Sequence, residues 1–496
     1  METRLRFAPS PTGYVHIGSL RTALYNYLYA KKHEGSYIVR IEDTDQSRLV
    51  EDAITGMISS MDWADIKHDE GLFMNEEGQL EEIGNYGPYV QSKRLPIYKK
   101  HVEELIEKGE AYYCFCSKER LDDVREQQKN AGKTPKYDGH CRHLTDEVIH
   151  EKLASGESHV VRLKLPEHHN IHFIDAIKGE IVVNTDDLDD QVLMKADGFP
   201  TYHLAVVVDD HYMKISHVVR GDEWLISTPK HIYTYEAFGW DPPQFVHLPV
   251  ILSQSKKKLS KREGDVAVED FRRKGYLPDA LINYVTLVGW SPEDGEEILS
   301  MEQLIEKFSF ERVSKSSGVF DVDKLNWVNN QYIRAYDLDV LTELCKPYFV
   351  DAGFLTEDAC EAQYEWMKKI VDVLRERLNR LDEIADYKAL FLQDEVVIED
   401  EEAEEMISLD HVPELLKVMI QKIDALPDAI TASDVKQILK AIQKELGVKG
   451  KGLFMPVRVA ITGQVHGPDI AKVIEILGNK SVVKRIEYTL THHCKE

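Results

Sequence analysis

The first 45 residues constrain the fold most, because their pattern predicts a strand, a loop, a helix and a second strand. Arg4–Ala8 predicts the first strand, and the prolines and glycine of Pro9–Gly13 end it in a loop. Apolar residues in Ile17–Leu28 recur at helical spacing, and Tyr37–Ile41 predicts the next strand. In such βαβ units ligands bind beyond the carboxyl ends of the strands. The loop and the acidic segment Glu42–Asp45 are therefore expected side by side at that edge.

The helix of this unit opens with His16-Ile17-Gly18-Ser19. The N–H groups and dipole of a helix N-terminus favour phosphate, a glycine lets a nucleotide approach the backbone, and a histidine can donate to a phosphate oxygen. Taken alone, the four residues are equally typical of a helix N-cap with an incidental histidine. Their place directly after the first strand of a βαβ unit favours the phosphate site.

A second short motif, Lys258-Leu259-Ser260-Lys261-Arg262, follows a strand predicted at Pro249–Leu252. Lysines on a polar loop can neutralise charge that grows on a departing phosphate group. A solvated surface loop is the alternative for any lysine run. In a chain with a net charge of −26, however, a cationic cluster indicates a local device for binding phosphate or RNA.

The two motifs resemble the HIGH and KMSKS signatures of class I aminoacyl-tRNA synthetases. The segment Phe7–Gly13 is similar to the lead-in of the bacterial glutamyl-tRNA synthetases, and the similarity extends from Arg4 to Phe454–Arg458. The resemblance implies ATP with Mg²⁺ as a substrate and His16, Gly18, Lys258 and Lys261 as catalytic residues. It implies that the residues binding ATP are His16, Gly18, Ser19, Lys258, Ser260 and Lys261.

The same resemblance implies an L-glutamate pocket, since arginine suits the bidentate binding of carboxylates. Family positions around glutamate correspond here to Arg6, Ser10, Glu42, Tyr202 and Arg220. The arginines are expected to bind carboxylates, and Glu42 is expected to meet the α-amino group. Val206 stands where some relatives carry an asparagine that contacts the substrate.

The implied reaction is that of a glutamate-tRNA ligase, with tRNA(Glu) as the partner. A glutaminyl enzyme is the nearest alternative, although its anticodon region is a β-barrel and this chain ends in predicted helices. A base-modifying relative would stop near mid-chain. A nucleotidyltransferase that never binds RNA and a non-catalytic tRNA-binding protein are the alternatives from other classes. The sequence does not decide whether tRNA(Gln) is also charged.

A metal site is suggested by Cys114-Phe115-Cys116 and Cys141-Arg142-His143. Tetrahedral zinc commonly takes three thiolates and one imidazole, but from spacing alone buried free cysteines are an equal alternative. A subset of bacterial glutamyl-tRNA synthetases has this arrangement. The resemblance therefore implies one structural Zn²⁺ on Cys114, Cys116, Cys141 and His143.

The predicted fold class is α/β: a Rossmann-like, doubly wound catalytic domain with an inserted acceptor-end domain, followed by an all-α anticodon-binding region. A chain of 496 residues is long enough for three or more domains. The predicted ranges are 1–102 and 201–255 for the catalytic halves, 103–200 for the insertion, 256–336 for the KMSKS and stem-contact domain, and 337–496 for the helical region. An acidic run at 394–405, interpreted as a solvated linker, divides the last range into two bundles.

The N-terminus lacks the apolar stretch of a signal peptide, and no later run is long enough to cross a bilayer. We therefore expect a cytoplasmic protein without a membrane partner. Six cysteines in so long a chain do not form a disulfide framework. A monomer fits the resemblance.

Overall fold

The computed structural model describes residues 2–50, 52–260, 265–398, 400–427 and 429–494. The chain forms two compact units, one of Met1–Arg272 with Pro278–Val322 and one of Arg273–Leu277 with Asp323–Glu496. Among the described helices, none combines the length and the apolar character needed to cross a membrane.

The first unit mixes strands and helices throughout. Its elements are β1 (Arg4–Phe7), α1 (Ile17–Lys32), β2 (Ser36–Val39), α2 (Ala53–Trp63), β3 (Gly71–Met74), β4 (Leu80–Ile83), α3 (Leu95–Glu107), β5 (Ala111–Cys114), α4 (Lys118–Asn130), α5 (Asp146–Ala154), β6 (Val160–Leu163), β7 (Asn170–Asp175), β8 (Gly179–Asn184), β9 (Val192–Met194), α6 (Tyr202–Tyr212), β10 (His217–Gly221), α7 (Thr228–Phe238), β11 (Gln244–Leu248), β12 (Ile251–Leu252), α8 (Val268–Arg273), α9 (Pro278–Leu287), α10 (Met301–Lys307) and β13 (Gly318–Val319).

The main sheet has the strand order β2-β1-β10-β11-β7-β8. Strands β2, β1, β10, β11 and β7 run parallel, whereas β8 pairs antiparallel with β7. The predicted βαβ unit is confirmed, because β1 and β2 pair in parallel on either side of α1. The hairpin β7-β8 lies within the segment predicted as an insertion, yet it extends this sheet. The other strands of that segment form the separate antiparallel sheet β5-β6-β9, and α4 and α5 lie between β5 and β6 in the chain.

The core of the first unit lies between the main sheet and helices α3, α6 and α7. Buried side chains from each of these elements meet there, among them Tyr98, Leu204, Val218, Tyr235 and Phe245. The apolar faces of these helices therefore cover the sheet.

Two predicted elements in this unit have different bounds, and proline explains both. The sequence pattern predicts one strand from Phe245 to Leu252, of which Pro249–Leu252 is the end. That strand stops at Leu248, because Pro249 has no N–H for the ladder, and resumes as β12 against β13. The pattern also predicts a helix over Glu223–Phe238, but its first residues form a 3₁₀ turn that ends at Ser227. The α-helix begins at Thr228, where Pro229 fits the first helical turn.

The second unit is helical. Its helices are α11 (Val322–Ala335), α12 (Leu338–Asp351), α13 (Glu357–Ala362), α14 (Tyr364–Leu374), α15 (Lys388–Leu392), α16 (Glu401–Ile407), α17 (Val412–Asp424), α18 (Ala432–Leu446), α19 (Lys451–Thr462) and α20 (Ile470–His492). A common core joins α16 to α20 and includes Leu415, Ile442, Leu453 and Ile486, all without exposed surface. The all-α prediction for this region is confirmed.

The interpretation of the acidic run 394–405 as a linker is wrong for its second half, which belongs to α16. Ala403 and Ile407, four residues apart, face the core with 0% and 2% of their surface exposed. The acidic residues cover the other face of the helix and the approach to it. The second half of the run is therefore part of the helical bundle formed by α16 to α20.

The amphipathic pattern of Tyr364–Leu381 predicts one helix over these residues, but α14 ends at Leu374. Beyond it, the carbonyl oxygens of Leu378 and Asn379 accept hydrogen bonds from the amides of Asn330 and Asn329 on α11, at 2.8 and 2.6 Å. These long-range bonds replace the helical bonds that a continued α14 would form.

Gly35, between α1 and β2, gives a test of how tightly the βαβ unit is packed. A Cβ there would lie 2.1 Å from the carbonyl oxygen of Thr3, so we expect Gly35→Ala to destabilise the protein by about 1–3 kcal/mol. At Gly56 in α2 an added methyl group would have no neighbouring atom within 4 Å, so Gly56→Ala is the matched control. It should be neutral or stabilising by up to about 1 kcal/mol. Denaturant unfolding followed by circular dichroism measures both, and equal stability of the two variants would contradict this packing.

Candidate active site

One open pocket of about 1110 Å³ lies at the carboxyl ends of β1 and β10, where the sheet topology predicts a ligand site. Most candidate residues from the two signatures and from the predicted amino-acid site line it. They are Arg6, Ser10, His16, Gly18, Ser19, Glu42, Tyr202, Arg220 and Lys258. Of the candidates that the structure describes, Ser260 is not part of the lining. Lys261 lies outside the described residues.

His16 is the N-cap of α1 and has an extended backbone. Its Nδ1 accepts a hydrogen bond from the N–H of Gly18 at 3.0 Å. Because Nδ1 is the acceptor, the proton of the neutral ring is assigned to Nε2, the nitrogen that can donate to a phosphate oxygen. A Cβ on Gly18 would meet only this ring, at 3.5 Å, so the glycine leaves open space at the helix start.

The segment with the second signature is attached at both of its described ends. The N–H of Leu259 donates to Ile251 in β12 at 3.1 Å, and Lys258 forms a bridge with Leu252. On the other side, the carbonyl of Val266 accepts from the N–H of Ile17 at 2.8 Å. The backbone of Lys258 is thus held beside the pocket while its side chain is exposed.

A buried ionic network forms one wall of the pocket. Arg6 binds Asp210 with two hydrogen bonds, of 2.9 and 3.1 Å, and Arg40 donates to the same carboxylate at 2.8 Å. Burial alone would raise the pKa of Asp210, but the two arginines hold it below its usual value. Glu42 accepts from Arg40 at 3.0 Å, and burial raises its pKa despite Arg40 and Arg6. The charge of Arg6 is therefore already balanced within the protein.

Arg220 has a different set of partners. Its guanidinium donates to Tyr202 Oη and to Thr228 Oγ1, both at 2.8 Å, and to His247 Nε2 at 3.1 Å. Both of its terminal nitrogens lie 3.2 Å from His231 Nδ1. Sequence reasoning missed both histidines, since they sit alone on α7 and β11 and only the packed fold brings them to Arg220.

Three further cations of the lining, Arg21, Arg48 and Lys195, were also missed. Lys195 Nζ lies 3.1 Å from the carbonyl oxygen of Thr44 and 3.1 Å from Asp197. Arg21 is buried in α1 and donates to the carbonyl oxygen of Val288 at 3.1 Å. A signal for Arg21 exists in the sequence: it stands four residues after Ile17, on the apolar face of the helix, where a charge needs a specific partner.

The cysteine cluster lies apart from this pocket. The Sγ atoms of Cys114, Cys116 and Cys141 lie within 4.8 Å of one another. The hydroxyl of Tyr137 lies 3.3 Å from Cys114 Sγ and 3.6 Å from Cys116 Sγ, whereas His143 is exposed and is not part of the group. Hydrogen bonds from Cys141 and Tyr137 lower the pKa of the Cys114 thiol. Three thiols are a donor set that fits Zn²⁺, and the phenol oxygen of Tyr137 is a further polar atom beside two of them.

A parallel sheet that holds a HIGH-like helix start, with a KMSKS-like segment beside the same pocket, defines a class I aminoacyl-tRNA synthetase. Residues 2–327 match the family model described as tRNA synthetases class I (E and Q), catalytic domain. Residues 340–490 match an anticodon binding domain. The chain belongs to the class I (E and Q) tRNA synthetase family, and the predicted fold class is confirmed.

Curated relatives of similar length carry the name glutamate–tRNA ligase. The chain is 57% identical to that of Alkaliphilus metalliredigens over 489 residues, which cover 99% of both chains. It is 55% identical to that of Clostridioides difficile over 488 residues, 98% of this chain and 99% of the relative. A solved glutamate tRNA ligase of Elizabethkingia meningosepticum, in complex with its amino acid, superposes with a TM-score of 0.88 at 33% identity and covers 99% and 100% of the two chains.

Proposed function

We propose that this chain is a glutamate-tRNA ligase, which activates L-glutamate with ATP and transfers the glutamyl group to the terminal adenosine of tRNA(Glu). The observation that carries the proposal is that Arg220, a buried cation held by neutral groups, shares one pocket with His16 and Lys258. Such a pocket offers a carboxylate site next to a phosphate site. The names of the relatives support the same activity.

In the first step an α-carboxylate oxygen of glutamate attacks the α-phosphorus of Mg²⁺-bound ATP. A new oxygen–phosphorus bond forms, the bond to the β-phosphate breaks, and pyrophosphate leaves. His16 Nε2 and Lys258 Nζ stabilise charge on the phosphate oxygens, with Lys261 as the further cation assigned from the signature. Gly18, Ser19 and Ser260 complete the proposed ATP contacts.

Glutamate is held by groups that meet its three charged ends. Arg220 and Tyr202 bind the side-chain carboxylate, since both line the pocket and Arg220 donates a hydrogen bond to Tyr202 Oη. Arg6 and Ser10 complete the carboxylate contacts, and Glu42 accepts from the α-ammonium group. These residues position the reacting carboxylate, which is the main contribution of a protein to this chemistry.

In the second step the 2′-hydroxyl of the terminal adenosine attacks the activated carbonyl carbon. The ester bond forms, the bond from that carbon to the phosphate oxygen breaks, and AMP leaves while the hydroxyl loses its proton. No protein nucleophile is required. The residues that match an anticodon binding domain are proposed to bind the anticodon of tRNA(Glu). Acylation assays with purified tRNA(Glu) and tRNA(Gln) decide whether the enzyme also charges the second tRNA. A monomer stays a prediction.

The first test is pyrophosphate exchange into ATP. We expect exchange that requires both glutamate and tRNA, because the family generally needs bound tRNA before activation. Purified chain is assayed with glutamate alone, with tRNA alone and with both. Equal exchange without glutamate, or full exchange without tRNA, would refute the proposed activity.

Gly18→Ala tests the phosphate site at the start of α1. Because the added methyl group would meet only His16, at 3.5 Å, the fold should be kept, and a helical alanine adds up to about 1 kcal/mol of stability. The methyl group occupies the space left for the nucleotide, so KM for ATP should rise about tenfold or more, equivalent to about 1.4 kcal/mol, with KM for glutamate nearly unchanged. An unchanged KM for ATP would contradict the assignment of Gly18.

We also propose that Cys114, Cys116 and Cys141 hold one structural Zn²⁺, with Tyr137 in place of His143 as the fourth ligand. The phenol oxygen lies beside two of the thiols, whereas His143 is exposed. With all four positions filled by protein, the metal would stabilise the local fold and would take no part in the reaction.

Metal analysis of the purified chain should find about one zinc per chain. Tyr137→Phe should lower zinc retention under a competing chelator, and His143→Ala should not. The reverse pattern would restore His143 as the ligand, and a metal-free, fully active preparation would remove the site altogether.

A further inference from the structure

Arg220 carries a charge that the protein does not balance. Arg6 and Arg40 each pair with the carboxylate of Asp210, at 2.9 and 2.8 Å. Within the described ranges, no carboxylate forms an ion pair with Arg220, although only 6% of this residue is exposed. Its hydrogen-bond partners are a phenol, a hydroxyl and two imidazole rings. A buried guanidinium with neutral partners is suited to bind an anion from outside the protein.

Asp175 sets the protonation of His247. The two side chains are fully buried, and His247 Nδ1 lies 2.7 Å from Asp175 Oδ2. Asp175, the last residue of β7, is itself fixed by the backbone N–H groups of His247, Ile177 and Lys178, at 3.1, 3.0 and 2.8 Å. Since a carboxylate only accepts, Nδ1 of His247 carries the proton and Nε2 presents a lone pair to Arg220.

The register of the sheet makes this contact possible. Arg220 on β10 and His247 on β11 are paired residues of adjacent parallel strands. His231, from α7, places Nδ1 against the other side of the guanidinium and shares its Nε2 with His203 Nδ1 at 2.9 Å. Burial lowers the pKa of both His231 and His247, and the charge of Arg220 adds to the effect. Both rings therefore bind Arg220 as neutral acceptors.

We propose that His247, oriented by Asp175, is a positioning residue that makes the pocket selective for a negatively charged side chain. It orients Arg220 through a neutral nitrogen and so leaves the guanidinium charge for the carboxylate of the substrate. The inference rests on the proposed function and adds a physical reason why the pocket rejects glutamine as a substrate. An amide would occupy the same space but would leave the buried charge of Arg220 unbalanced, so the free energy of binding differs strongly between the two substrates.

The test compares His247→Gln with His247→Glu. Both side chains reach the position of Nε2 and can offer an oxygen to Arg220 Nε, but only glutamate brings a charge that balances Arg220. We expect His247→Glu to raise KM for glutamate about 10- to 100-fold over His247→Gln, the range for a hydrogen bond to a charged group. KM for ATP should change less than about threefold. The preference for glutamate over glutamine in kcat/KM should fall by a similar factor.

His150→Gln and His150→Glu form the matched control pair, since His150 is exposed on α5. These variants should be indistinguishable in all three constants. Thermal unfolding of each full chain checks the fold.

If His247→Glu does not fold, Asp175→Asn replaces it. An asparagine at position 175 can donate a hydrogen bond to Nδ1 of His247, which moves the ring proton to Nε2, where it faces the N–H of Arg220. It should raise KM for glutamate and leave KM for ATP unchanged.

Equal KM values for glutamate in His247→Gln and His247→Glu would overturn the inference. So would a parallel rise of KM for glutamate and for ATP, which indicates a merely structural role. These outcomes are distinct from failure of the proposed function, because in that case the unmodified chain itself would show no exchange that depends on glutamate.

Discussion

The shared carboxylate of Asp210 is the interaction on which the pocket depends. It joins Arg6 of β1, Arg40 after β2 and its own helix α6, across 204 residues of sequence between Arg6 and Asp210. Each of these ions is costly to bury alone, and removing one partner of such a group typically costs about 3–5 kcal/mol. The wall of the pocket is therefore stable only when segments that are far apart in the sequence have come together.

This network also gives different roles to two arginines, Arg6 and Arg220, that look equivalent in the sequence. Arg6 and Arg220 both lie on strands at the edge of the pocket, and both are buried. Arg6 forms an ion pair with Asp210 and builds the wall, whereas the described hydrogen-bond partners of Arg220 are all neutral. The electrostatic character of the pocket follows from this asymmetry and not from the number of arginines, in a chain whose overall charge is −26.

Local patterns were sufficient to predict the βαβ unit and the helical second half, and together with the family resemblance they identified nine residues of the pocket lining. The prolines and glycine of Pro9–Gly13 end a strand, and the apolar residues after Ile17 recur at helical spacing. Both signals lie within short segments, so they can be recognised without knowing which residues pack against them. His247 could not be predicted, because its role depends on register with Arg220 and on Asp175, 72 residues away. The same reason explains Tyr137: a loop folds it beside the cysteines, while the nearby His143 turns outward.

The attachments on either side of the second signature mean that the two signatures do not act as independent parts. Leu259 is tied to β12 and Val266 to the first turn of α1, and only seven peptide bonds separate these anchors. That length of chain spans at most about 25 Å. The described residues on either side of the second signature are thus hydrogen-bonded to β12 and to the helix start that holds His16. A substitution that displaces either attachment would therefore disturb the phosphate side of the pocket without altering any side chain that faces a ligand.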